Sequence, residues 1–176
     1  GRDIAYYIDG VPLNEVSSLH TPNYADLNIL LPETVKSIEV VRGPFNVEYG
    51  DSNLGGSVNI TTKESEPFAS VGASGGTQGT VRGVATYSTT QGAWLPFIAL
   101  EGYRTDGYRD NSFENRYNSF NKITTTLPDG STVSFRAQAY GTEFGAPGYS
   151  NKGAVLAGLV PERRATNYTD GGNKQL

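Results

Sequence analysis

Three carboxylates spaced four apart, Asp106, Asp110 and Glu114, stand among Arg104, Arg109 and Arg116, and such a cluster could hold a cation or contact a polar ligand. The spacing does not match an EF-hand loop, so the reading is a solvated, self-neutralising loop, with the cation or ligand patch as the alternative. Asp9-Gly10 could position a catalytic carboxylate, yet it lies between Tyr6–Ile8 and Val11-Pro12 and reads as a turn with a structural aspartate. Gly50, Gly55 and Gly56 lack the Gly-x-Gly-x-x-Gly spacing, the P-loop lysine and the following helix of a phosphate cradle. There is no Gly-x-Ser-x-Gly elbow, and the single His20 has no context that makes it a triad base. With no cysteine and one histidine, neither a thiolate nor a histidine metal centre is expected, and no cofactor is called for. The chain does not read as an enzyme.

The chain has 176 residues with 22 glycines and 11 tyrosines, which points to β structure with many turns. A net charge of −4 and a pI near 5.0 argue against nucleic acid, whose phosphates call for a basic surface. Mean hydropathy is −0.41, and no run approaches the roughly 20 apolar residues of a membrane-spanning helix. A membrane barrel is not excluded by this, because its strands alternate and leave little trace in average hydropathy.

The densest signal lies in Val35–Lys63, VKSIEVVRGPFNVEYGDSNLGGSVNITTK. Ile38–Val41 reads as a strand buried on both faces, closed by Arg42-Gly43-Pro44, where proline cannot donate to a ladder. Tyr49-Gly50 and Gly55-Gly56 permit positive φ or close backbone approach, and Ser57–Thr62 resumes an alternating strand. A compact, chain-reversing β unit is the expected product.

This ordered set resembles the C-terminal part of the plug domain of TonB-dependent outer-membrane receptors. Arg42, Gly43, Pro44, Tyr49, Gly50, Gly55, Gly56, Asn59, Ile60, Thr62 and Lys63 all fall in register with the family pattern, and Tyr6–Pro12, YYIDGVP, resembles the plug strand and turn that precede it. The specific motifs cover about the first third of the chain. The resemblance implies a mainly β fold: a mixed α+β plug portion over 1–66, then over 67–176 the first antiparallel strands of a 22-stranded transmembrane β-barrel. It further implies an internal fragment, with the rest of the plug and the TonB-contacting box upstream and most of the barrel downstream.

Glu64–Pro67 is the expected linker, and strands are expected at Phe68–Ser74, Thr80–Thr89, Trp94–Arg104, Arg116–Leu127 and Ser131–Phe144. Gln91–Ala93 and Pro128–Gly130 are short turns, whereas Thr105–Asn115 and Gly145–Thr166 are longer, as in a barrel with periplasmic turns and extracellular loops. Val133, Phe135, Ala137 and Ala139 alternate with Thr132, Ser134, Arg136, Gln138 and Tyr140, so the first set would face lipid and the second the lumen. The same period suits a half-buried strand of a soluble sandwich. Tyr87 and Trp94 fall where an aromatic girdle would lie, and Pro96 predicts a bulge or local irregularity near the periplasmic rim.

By resemblance the function is TonB-coupled uptake of a scarce ligand across the Gram-negative outer membrane, with the plug gating the lumen. The ligand would be a ferric siderophore by default, with cobalamin, haem or oligosaccharide open. Partners would be outer-membrane lipid and the inner-membrane TonB complex. The resemblance gives Arg42 the role of a plug–barrel lock on a wall glutamate; local pairing with Glu39 or Glu48 is the alternative. His20, Asn23 and Tyr24, between two plug strands, are ligand-facing candidates against a plain connecting loop. Tyr149, Arg163 and Arg164 are further candidates, the arginines suiting an anionic chelate. The rival from another class is a soluble β-sandwich carbohydrate-binding module.

Overall fold

The computed structural model of the chain describes residues 3–15, 24–45, 49 and 54–175. They divide into two compact units, Gly1–Glu64 and Ser65–Leu176.

The first unit is a four-stranded mixed sheet in the order β2-β1-β4-β3, made of β1 (Ile4–Ile8), β2 (Val11–Pro12), β3 (Val35–Arg42) and β4 (Gly56–Thr62). β1 runs antiparallel to β2 and parallel to β4, and β4 runs antiparallel to β3. A parallel pair needs a crossover, and the whole stretch between residues 13 and 55 supplies it. Two 3-10 turns lie on that path. Leu27–Ile29 is capped by the Asp26 carboxylate, which accepts from Asn28 N, and Pro32–Thr34 starts on a proline whose missing donor costs nothing there. Ala5, Ile8, Leu31 and Ile60 form the core together with Tyr49, whose ring packs 5.0 Å from that of Tyr7.

Asp9 closes this sheet. It sits at φ 50°, and its carboxylate accepts from both the backbone N and the hydroxyl of Thr62, each at 2.7 Å. The turn after β1 is thereby fastened to the end of β4 across 53 residues of sequence. This is the structural aspartate expected from its turn context. Thr62 is buried, so Asp9→Ala should remove both of these bonds from a covered site and cost about 2–3 kcal/mol. Amide hydrogen exchange in β1 and β4 reads this directly, and protection equal to wild type would refute the clamp.

β3 departs from expectation. It is the edge of the sheet, and Ile38 and Val40 are 60% and 63% exposed rather than buried on both faces. β-branched side chains report a pleated backbone; whether a face is covered depends on what packs across it.

The second unit is one six-stranded antiparallel sheet in the order β10-β9-β8-β7-β6-β5. It comprises β5 (Phe68–Gly75), β6 (Val81–Ser88), β7 (Leu95–Thr105), β8 (Glu114–Thr126), β9 (Thr132–Gly145) and β10 (Gly171–Gln175). Five strands fall where alternation places them. The sixth, GGNKQ, has no apolar alternation and forms because its backbone pairs with Gly141–Gly145 of β9. A single continuous sheet is not the sandwich of the rival reading.

The register sorts the side chains. One face carries exposed apolar groups, including Val71, Tyr87, Leu100, Ile123, Val133 and Phe135. The other carries buried polar groups such as Thr86, Asn118, Lys122 and Thr124 around the edge-to-face pair Phe97–Phe120. This is the reverse of an ordinary soluble sheet, where the apolar face is the covered one.

Pro96 makes no bulge. Pairing of β7 with β8 runs unbroken through Pro96↔Ile123, and β6 stops at Ser88 opposite Phe97, so the missing donor falls where β6 has ended. The β8–β9 turn is tight, with Gly130 at φ 84°. Ser131 donates from both its hydroxyl and its backbone N to Asp129, which holds that exposed carboxyl below its ordinary value.

Candidate functional site

Antiparallel order puts the turns 89–94 and 127–131 at one end of the sheet and the connections 76–80, 106–113 and 146–170 at the other. At the latter end the three connections are bonded to one another. Arg109 Nη1 donates to Gly148 O at 2.7 Å, and its Nη2 donates to Ser150 Oγ at 2.8 Å and to Arg164 O at 2.7 Å. Asn111 Nδ2 reaches the carbonyls of Ala146, Asn167 and Asp170. Arg163 returns the link, donating from Nε to Tyr108 O and from Nη2 to Gln78 Oε1, with its guanidinium 5.3 Å from the Tyr108 ring centroid. Glu162 accepts from the Tyr108 hydroxyl and holds that phenol above its ordinary value.

The loop expected to be solvated and self-neutralising is therefore only partly so. Arg104 and Asp106 form an exposed 3.5 Å pair of that kind, but Arg109 is spent on backbone carbonyls of another loop. No local spacing announces such a contact, since its partners lie 39 to 55 residues away.

Glu114 and Arg116 belong to β8 and join a different cluster. Glu101 is buried on the polar face and receives Arg82 Nε at 2.6 Å and Arg116 Nε at 3.2 Å. Arg116 also reaches Glu114 at 3.2 Å and lies 4.5 Å over the Tyr103 ring. Glu101 and Arg82 were not singled out from sequence. The available signal was an acid closing the apolar run Leu95–Leu100, and only cross-strand register brings the arginines to it.

In the first unit Arg42 ends β3, directly before Gly43 at φ 79°, whose N–H donates to Gly55 O at 3.1 Å. Its side chain is exposed within its own unit, and Glu39 instead accepts from Tyr49 Oη at 3.4 Å, so pairing of Arg42 with Glu39 is not formed. Gly56 sits at φ 135°, with Val41 O where a Cβ would stand. Pro44 is exposed and Tyr49 buried.

Most of these residues fall within the range covered by a family comparison. Residues 1–57 match the model of the TonB-dependent Receptor Plug Domain. Residues 1–57 are similar to a TonB-dependent receptor plug. Over 63 residues the sequence is 38% identical to the probable TonB-dependent siderophore receptor PirA of Acinetobacter baumannii, an alignment covering 32% of this chain and 8% of that protein. The open form of the ferric-catecholate import receptor Fiu of E. coli K12 superposes with a TM-score of 0.63 at 20% identity, covering 97% of this chain and 27% of Fiu. Pseudomonas aeruginosa FpvA, solved with bound pyoverdines, gives a TM-score of 0.65 at 16% identity over 79% of this chain and 19% of its own. The chain thus spans a small part of the receptors it matches, and at these identities the structures speak for the fold: a plug and antiparallel strands of the receptor barrel.

Of the ligand-facing candidates, His20 and Asn23 lie outside the described residues, as do Glu48 and the motif glycine Gly50. Tyr24 is exposed but forms a bridge with Glu15, whose N–H donates to Tyr24 O at 2.7 Å. Tyr149, Arg163 and Arg164 all belong to the 146–170 connection, so the long-loop end gathers three of the six.

Proposed function

We propose that this chain is the plug portion, residues 1–66, and the beginning of the barrel wall, residues 67–176, of an outer-membrane receptor that takes up a ferric siderophore with TonB-supplied energy. The observation that carries this reading is the plug match over 1–57 followed by a wall whose apolar face is the exposed one. Lipid would cover Val71, Leu100 and Phe135, and the buried polar face would line the lumen. Tyr149, Arg163 and Arg164 then lie on the ligand side, where an aromatic ring and two guanidinium groups suit a large anionic chelate. The siderophore receptors among the relatives support that ligand class over cobalamin, haem or oligosaccharide.

Arg42 is assigned the lock between plug and barrel. An exposed guanidinium at a strand end, not paired with Glu39, supports a partner carboxylate on the wall, while Glu48, the other local candidate, lies outside the described residues. The test is uptake by cells making the intact receptor, with and without TonB, of iron-55 supplied as a panel of ferric chelates or as haem, and of cobalt-57 supplied as cobalamin. TonB-dependent accumulation of iron from one chelate is expected, and equal uptake without TonB would overturn the transport reading. In the same receptor Arg42→Ala should raise plug hydrogen exchange at least tenfold, about 1.4 kcal/mol; unchanged exchange refutes the lock.

A further inference from the structure

Tyr149 is 99% exposed, yet the segment around it is held by two backbone carbonyls and one side-chain hydroxyl. Its predecessor Gly148 offers its carbonyl to Arg109 Nη1, its successor Ser150 offers its hydroxyl to Arg109 Nη2, and its own carbonyl accepts from Thr166 Oγ1 at 3.1 Å. The Arg109 backbone is itself fixed, because Ser112 Oγ accepts from Arg109 N at 2.9 Å and donates to Arg109 O at 2.6 Å. The planar five-donor fork of arginine can serve separate acceptors at once, and a lysine ammonium on a flexible stem cannot reproduce that geometry. An aromatic ring in water gains nothing for the fold, while a ring whose backbone is set beforehand loses little entropy on contact.

We propose that Arg109 is a positioning residue that presents Tyr149 as a preset contact for the chelate. The inference rests on the reading of the long-loop end as the ligand side. Arg109 does not itself touch ligand. It acts through the two residues that flank Tyr149, and its third bond, to Arg164 O, ties the return limb of the same loop to the same fork.

The chain contains no cysteine, so a nitroxide can be placed by Tyr149→Cys without competing thiols from this segment. In the intact receptor in detergent, the label should report restricted motion, and adding Arg109→Ala or Arg109→Lys should speed it several-fold while hydrogen exchange in 132–145 stays unchanged. A label indifferent to both substitutions overturns the positioning role. In unlabelled receptor, Arg109→Ala and Tyr149→Ala should each weaken binding of the ferric chelate by about tenfold, and the double variant should be no weaker than Tyr149→Ala alone, because residues acting as one unit are not additive. Wild-type affinity in Tyr149→Ala overturns the contact. Failure of wild type to bind any ferric chelate sinks the proposed function instead, and the nitroxide result still decides whether Arg109 positions the loop.

Discussion

Gly56→Ala is expected to loosen the plug sheet by about 3 kcal/mol, which raises hydrogen exchange of the β1 and β4 amides roughly a hundredfold. Two causes add. At φ 135° an L side chain is strained whatever the space, and here the new Cβ would collide with the Val41 carbonyl oxygen and come within 3.2 Å of Arg42 Cα. Neither obstacle is the end of a flexible side chain, so relief requires β3 to move off β4 at the Arg42↔Gly56 pair. That displaces the residue assigned as the lock, so plug stability and plug seating should fail together. Gly55→Ala is the informative neighbour. Its Cβ would stand 3.0 Å from Asp3 O, with no positive φ, and about 1 kcal/mol is expected. Gly83→Ala in β6, where a Cβ meets nothing within 4 Å, should be near neutral. Equal protection in Gly56→Ala and Gly83→Ala would show that the turn has another conformation open to it.

Glu101→Ala should cost about 2–4 kcal/mol in the stability of the strand wall. The Glu101 side chain is 4% exposed and neutralises two guanidinium groups, Arg82 at 25% and Arg116 at 18% exposed. Removing it leaves two cations crowded on a covered face, and the penalty is that of uncompensated charge rather than of one lost bond. The residual exposure of both arginines keeps the figure below that of a dry interior. Glu114→Ala removes a carboxylate that is 31% exposed and holds only one arginine, so at most about 1 kcal/mol is expected. Thermal unfolding in detergent, followed by far-ultraviolet circular dichroism, separates the two. A smaller loss for Glu101→Ala than for Glu114→Ala would contradict the assignment of Glu101 as the centre of the network.

Gly43, Pro44, Gly55 and Gly56 were legible as turn residues because each solves a backbone problem that glycine or proline solves locally. Asp9 was legible as a turn aspartate for the same reason, though its partner Thr62 was not. Strands β5 to β9 were legible from their period of two, because alternation is set residue by residue against a pleated backbone. β10 was not, because Gly171–Gln175 has no pattern of its own and is a strand only by pairing. Glu101 and Arg82 were missed, and Arg109 was read as one member of a self-neutralising loop, because each acts on a residue that chain folding, not spacing, brings near.

Sequence by itself determined the kind of chain this is: the ordered plug turns, the antiparallel strands and their apolar and polar faces are local or periodic properties that survive without knowing what lies alongside. The tertiary structure alone decided which groups meet. Cross-strand register set Glu101 between two arginines, the parallel pairing of β1 with β4 brought Asp9 to Thr62, and common placement at one end of the sheet let Arg109 take hold of the loop that carries Tyr149. Strand neighbours and loop contacts join residues tens of positions apart, and no local pattern encodes a distance of that kind.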